Sequence, residues 1–418
     1  MASCCLAGFA LQLLVIFLAA AVRQFLLAAF VAGEQRAWKA FVADLAPRAA
    51  SAKNSTRQGV VVIGGRSHFS ANGSQDYTLD ALLSIAALRH TGCSLPVELW
   101  HDHDPELSGD IGVQAASALS AAGGPVLLRD VTEVLGGSNL TGYMLSTFVL
   151  VHSSFELLLY IDADNLAIAD PTPLFAAPEF TETGALFWPD PQIFEEAGLI
   201  WRVLGCSSSS IPARAIENGQ MLINSTRHRR SLELANFFNQ RWAAQYFRPP
   251  LFLFGDRDMY VYAWLALSAP FSVAPLVGLG GSLTDGDGFC GHSYLQFHPR
   301  RPEEVLFLHR TFAKPSLHRD GSDPRVTATK RLTGFARDRL APENCSAHRH
   351  EHPIHQGHRM IDFDVDVDNS SAARETLARL ARVEEDMMAL RAAIADDAGL
   401  RPQWWRPWAE SARRGLRS

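Results

Sequence analysis

Phe155-Glu156-Leu157-Leu158-Leu159-Tyr160-Ile161-Asp162-Ala163-Asp164-Asn165 is the stretch on which the reading of this chain turns. A short, unbroken apolar segment such as Leu157 to Ile161 suits a strand covered on both faces. Asp162 and Asp164 follow at i and i+2, which on an extended backbone point to one side. Two hard oxygen donors at the carboxyl end of a parallel strand make a seat for a divalent cation holding a phosphorylated ligand. Asp-x-Asp is more often a solvated turn or a helix cap, so the pair needs support from the rest of the chain. An EF-hand calcium loop is excluded. Its fifth, sixth and twelfth positions call for oxygen, Gly and Glu, and here hold Leu166, Ala167 and Pro173.

Working outward, Gly59-Val60-Val61-Val62-Ile63-Gly64-Gly65 reads as a strand closed by two glycines, where backbone can approach a ligand. The G-x-G-x-x-G spacing is missing, so a dinucleotide fold is not indicated. Leu79, Leu82, Leu83 and Ala86 give Tyr77 to Arg89 a helical period. Leu95 to Trp100, Pro125 to Leu128, Gly184 to Trp188, Gln220 to Ile223 and Val305 to Leu308 read as further strands. Helices are expected over 231–241 and 258–267. Alternating strands and helices predict an α/β domain with a mostly parallel sheet.

The chain has 418 residues, is 47% hydrophobic and carries a formal net charge of −6. That balance argues against nucleic acid, which needs a basic surface. Cys4 to Val22 is apolar and long enough to span a bilayer, which favours a signal anchor over a cleaved signal peptide ending at Ala19-Ala20-Ala21. Six sequons, at Asn54, Asn72, Asn139, Asn224, Asn344 and Asn369, take up six of about ten asparagines, where chance gives about one. Their enrichment indicates a lumenal or extracellular body. Cys93, Cys206, Cys290 and Cys345 could form two disulfides in three pairings. Near the end, His348, His350, His352, His355 and His358 precede an Asp-rich run, read as a solvated loop rather than a metal site. Arg374 to Ile394 reads as a packed terminal helix that could also dimerise, and Trp404, Trp405 and Trp408 as a cover for part of the body.

Six ordered blocks carry a family resemblance. They are Leu88-Arg89 with Gly92 to Trp100; Tyr160 to Asn165 with Asp170-Pro171; and Thr183 to Asp190. After these come Glu217 to Ile223, Gly255-Asp256-Arg257-Asp258, and Phe307 to Arg310 with Lys314. In these the chain resembles the fungal-type α-1,3-mannosyltransferases, from about Gln58 to Lys314. The sequence departs from the usual pattern at Asn218, where a small residue is commoner, and at Arg257, where Lys is.

The resemblance implies a GT-A-like nucleotide-sugar fold, α/β with a mixed, mostly parallel sheet, behind a membrane anchor. It implies a single-pass type II Golgi protein with a lumenal catalytic domain. The expected boundaries are 1–33 tip and anchor, 34–57 stem, 58–320 catalytic domain and 321–418 accessory region. The implied reaction is retaining transfer of mannose from GDP-mannose to a glycan or glycoprotein acceptor. Asp162, Asp164 and His309 are implied to hold Mn²⁺ or Mg²⁺. Lys314, Asn218, Gly219, Gly64 and Gly65 are implied to contact the donor. Asp256, Asp258 and Gln220 are implied to act at the reacting sugar, and Trp188 and Asp190 to form the acceptor cleft. The alternatives are the same fold using a UDP-linked sugar, and a non-catalytic glycan-binding protein.

Overall fold

A computed structural model describes residues 2–45, 58–67, 75–135, 140, 142–191, 198–212, 214–246, 248–251, 253, 255–284, 288–311, 314, 326–331 and 371–396. The His/Asp-rich segment, the three C-terminal tryptophans and every sequon except Asn224 lie outside these. Asn224 ends a strand in a surface turn, where its Oδ1 accepts from the N–H groups of Thr226 and Arg227.

The strands in chain order are β1 Gln58–Ile63, β2 Arg66–Ser67, β3 Gln75–Asp76, β4 Val97–His101, β5 Val126–Asp130, β6 Leu157–Ile161 and β7 Asn165–Ala167. Then follow β8 Ala185–Pro189, β9 Ile216–Asn224, β10 Ser272–Val273, β11 Val277–Thr284, β12 Gly288–Phe297, β13 Val305–His309 and β14 Ala328–Arg331. The main sheet runs β10-β8-β9-β6-β1-β4-β5. All its pairings are parallel except β6–β9 and β8–β9. The expected mixed, mostly parallel α/β sheet is therefore present. A second, antiparallel sheet, β14-β11-β12-β13-β7, stands beside it.

The period of two along β6 divides the core. Leu159 and Ile161 join one apolar cluster, with helix Thr78–His90 and the second sheet. Leu158 and Tyr160 join the other, with helices Met144–His152, Arg229–Trp242 and Met259–Ala266. Burial on both faces explains the unbroken apolar run.

The first helix, Ala2–Asp44, is the one helix among the described residues long and apolar enough to cross a membrane. Its Val15, Ile16, Phe17, Phe25 and Leu26 are exposed. The stem expected over 34–57 is not a free tether at its start, because residues 34–44 continue the helix and dock on the body. Trp38 Nε1 donates to the Val203 carbonyl at 2.9 Å, and Phe41 stacks on Phe237 with centroids 4.4 Å apart. Glu34 takes Arg241 at 2.6 Å and the indole N–H of buried Trp242 at 2.7 Å. Glu34→Ala should therefore cost roughly 1–2 kcal/mol, discounted for the part-exposed Arg241. The check is faster proteolysis after residue 34, together with a lower thermal midpoint.

The C-terminal helix is Ser371–Asp396. Ala373, Leu380 and Val383 are buried, and the last two join the first core cluster. These side chains are spent on the body, and nothing among the described residues supports the homodimer expectation. Cys93 and Cys206 are free thiols. They are not paired to each other, and the side chains of Cys290 and Cys345 lie outside the described residues.

Candidate active site

The acidic pair sits where the chain leaves one sheet for the other. β6 ends at Ile161, and β7 pairs with β13 so that Asn165 faces His309. Asp162-Ala163-Asp164 is a turn, closed by the Asn165 N–H donating to the Asp162 carbonyl at 3.0 Å. The two carboxylates therefore converge through a turn, not through the shared face of an extended strand. The Asp162 N–H donates to the Gly219 carbonyl at 2.8 Å, which ties the turn to β9. The Arg310 N–H donates to the Asp164 carbonyl at 2.9 Å, which ties it to β13.

Asp162, Asp164 and His309 each offer a ligand atom, all within 4.8 Å of one another. His309 Nε2 lies 3.2 Å from Asp164 Oδ1 and 3.9 Å from Asp162 Oδ2. Lys314 Nζ lies 2.7 Å from Asp164 Oδ2 and over the Tyr77 ring. Asp164 and His309 are buried, while the Asp162 side chain keeps 28% of its surface open. Burial, then the Asp164 charge, pushes Asp162 up to about 7. Burial acts the same way on Asp164, but Lys314 and His309 outweigh it and hold that carboxyl far below its usual range. Burial opposes the charged form of His309, but Asp164 and Glu217 outweigh it and raise the ring well above the usual imidazole range. The donor set fits a divalent cation. Two carboxylate oxygens and an imidazole nitrogen within reach of one another are ligands that such an ion accepts.

The other expected residues divide. Asn218, Gly219 and Gln220 lie within β9 rather than in a loop, with Gln220 opposite Ile161. The Gln220 Oε1 accepts from Asn165 Nδ2 at 2.6 Å. Gly219 is required by its neighbour: a Cβ there would meet His309 Nδ1 at 2.4 Å. Asp256 stands in the loop before helix Met259–Ala266, where it accepts from the Ser146 hydroxyl and the Asn218 side chain. Burial pushes it up to about 6, and its charge is felt at Asp162. Gly64 and Gly65 end β1, one strand over from Asp162. At φ +92°, Gly65 is demanded by the turn itself.

Three expectations change. Trp188 is wholly buried, donates through Nε1 to the Phe297 carbonyl and meets Phe307 edge-on, so it offers no face to an acceptor. Asp190 is 2% exposed and paired with Arg257 at 3.3 Å. Asp258 pairs with the same guanidinium at 3.0 Å. Both carboxylates are thus turned inward on Arg257, and Asp258 makes no side-chain cap bond at its helix start.

Sequence reasoning assigned no role to Glu217. Its Oε1 lies 3.2 Å from His309 Nδ1 and accepts the Gly219 N–H at 2.8 Å. An inward-facing acid two residues before a glycine in an apolar strand was the available signal.

Residues 57–198 match the family model described as "Mannosyltransferase putative". The α-1,2-mannosyltransferase MNN24 of Candida albicans is 28% identical over 237 residues, 48% of this chain and 33% of that protein. The α-1,2-mannosyltransferase MNN2 of Saccharomyces cerevisiae is 27% identical over 270 residues, 54% of this chain and 44% of that protein. The matched part thus spans less than half of either relative. Among solved structures, a galactosyltransferase with donor and acceptor sugar analogs is similar at a TM-score of 0.35 and 16% identity, over 52% of this chain and 73% of that one. A bifunctional glycosyltransferase, WbbM, is similar at 0.38 and 14% identity, over 53% and 39%. The relatives are named for α-1,2 linkage, which leaves the α-1,3 part of the resemblance unsupported. By sequence, then, residues 57–198, the segment that carries Asp162 and Asp164, are similar to that mannosyltransferase family model.

Proposed function

We propose that the chain transfers mannose from GDP-mannose to a glycan acceptor with retention, at a divalent-metal site made by Asp162, Asp164 and His309. The observation that carries this reading is the convergence of those three side chains, of which Asp162 and Asp164 lie in the segment similar to the mannosyltransferase family model. The linkage best supported is α-1,2, from the relatives' names. A divalent ion bound there would neutralise the charge that develops on the diphosphate leaving group. Lys314, beside Asp164, is a point charge for the same diphosphate. Asp256, Asn218 and Ser146 supply acceptors and donors for sugar hydroxyls. Exposed apolar residues on the first helix support a membrane anchor, and the Golgi setting of a type II protein follows from the resemblance and the sequons.

The test uses full-length protein in detergent, with Mn²⁺ and a panel of GDP- and UDP-sugars and mannosides. Mannose transfer from GDP-mannose, abolished by EDTA and restored by Mn²⁺, is the expected result. Turnover of UDP-sugars alone would sink the donor assignment, and no turnover of any donor would favour a glycan-binding protein.

Asp256 gives a pH prediction. Ionised, its carboxyl accepts from hydroxyls through both oxygens and more strongly, so transfer should rise as pH passes through about 6. Asp256→Asn should lower kcat/KM by ~10²-fold and remove that acid limb. The sign for stability is opposite. A raised carboxyl keeps its proton longer in the folded state than in the unfolded one, so its contribution weakens as pH rises toward 6.

A further inference from the structure

We infer that Glu217 positions the metal site by fixing the ring of His309, an inference that rests on the metal reading proposed above. His309 presents Nε2 to the two aspartates and Nδ1 to Glu217 Oε1, 3.2 Å away. The carboxylate beside Nδ1 holds the ring by charge rather than by an aligned hydrogen bond, and so favours the orientation that turns Nε2 to the aspartates.

Glu217 is built for this task. It is 3% exposed, and its Oε1 is held by the Gly219 N–H at 2.8 Å. The charge of Arg257 is felt at Glu217 as well. Arg257 is itself pinned between Asp190 and Asp258 at 3.3 and 3.0 Å. The two aspartates expected at the reacting sugar and the acceptor thus share Arg257. The missing side chain at Gly219 lets the imidazole lie against β9 within reach of Glu217. His309 itself ends β13 opposite Tyr294 of β12, whose ring it meets edge-on with centroids 6.2 Å apart.

The experiment measures Mn²⁺ affinity on full-length protein by the electron paramagnetic resonance of free Mn²⁺. The imidazole ¹⁴N coupling of the bound ion is recorded alongside. Glu217→Gln keeps an oxygen at that place but loses the charge, and should weaken Mn²⁺ about 10-fold; Glu217→Ala should weaken it up to about 100-fold, with the ¹⁴N coupling reduced. Thermal midpoints in EDTA separate this from unfolding, and Glu217→Gln decides alone if Glu217→Ala does not fold. Wild-type affinity and coupling in Glu217→Gln would overturn the inference while leaving the metal site intact. A wild-type protein that binds no Mn²⁺ would overturn the metal reading and this inference with it.

Discussion

Asp164→Asn is expected to lower kcat/KM for sugar transfer by about 10³-fold or more. The side chain is 5% exposed and both oxygens are committed, Oδ1 toward His309 and Oδ2 toward Lys314. An amide matches the shape of a carboxylate but carries no charge. Whichever way it turns, its NH₂ group faces a nitrogen that is itself a donor, either Nε2 or Nζ. The substitution removes a metal oxygen and leaves two cationic groups facing a weakened partner. The loss should persist at saturating Mn²⁺, because Lys314 also loses the charge that aims it. The metal-free protein should melt lower as well, since breaking a buried pair costs more than the pair is worth. Transfer within tenfold of wild type would remove Asp164 from the chemistry.

Gly219→Ala is the second large effect, expected to lower kcat/KM by ~10² to 10³-fold with the fold retained. A Cβ at that position would sit 2.4 Å from Nδ1 and 2.6 Å from Cε1 of His309, and 3.1 Å from Glu217 Oε1. Real side chains do not approach so closely, so the imidazole must move. Overpacking of this kind costs about 1–3 kcal/mol in stability. Its larger consequence is geometric, because a ligand ring displaced by even 1 Å no longer meets both aspartates. Measured Mn²⁺ affinity and kcat/KM should fall together. A fall in stability alone, with both retained, would show that the ring has another place to go.

Much of this was legible from the sequence, and the reason is local. The apolar runs that became β1, β6 and β13 are short, bounded and buried on both faces, so their composition announces them. Asp162 and Asp164 were found because they end such a run. What the sequence hides is which strand lies beside which. The antiparallel entry of β9 between β6 and β8 brings Glu217, Gly219 and Gln220 to the acidic turn. No local pattern near residue 217 specifies that neighbour. Trp188 failed for a related reason. An indole suits either a core or a sugar platform, and only the carbonyl of Phe297, far along the chain, settles which. Asp190 was expected in the acceptor cleft and Asp258 at the reacting sugar because their shared partner, Arg257, shows its geometry only in three dimensions.

The unbroken first helix sets a length scale. From Glu34 to Phe41 the docked segment advances roughly 10 Å along the helix axis. A flexible tether would let the catalytic cleft wander through a hemisphere above its attachment point. Were the helix anchored in a bilayer as proposed, its fastening at Glu34, Trp38 and Phe41 would instead give the cleft a fixed altitude and compass bearing over that surface. Under the proposed anchoring, acceptor ends that reach that altitude are served and those lying much lower or higher are not. Glycan reach would then select substrates before any contact with the sugar site.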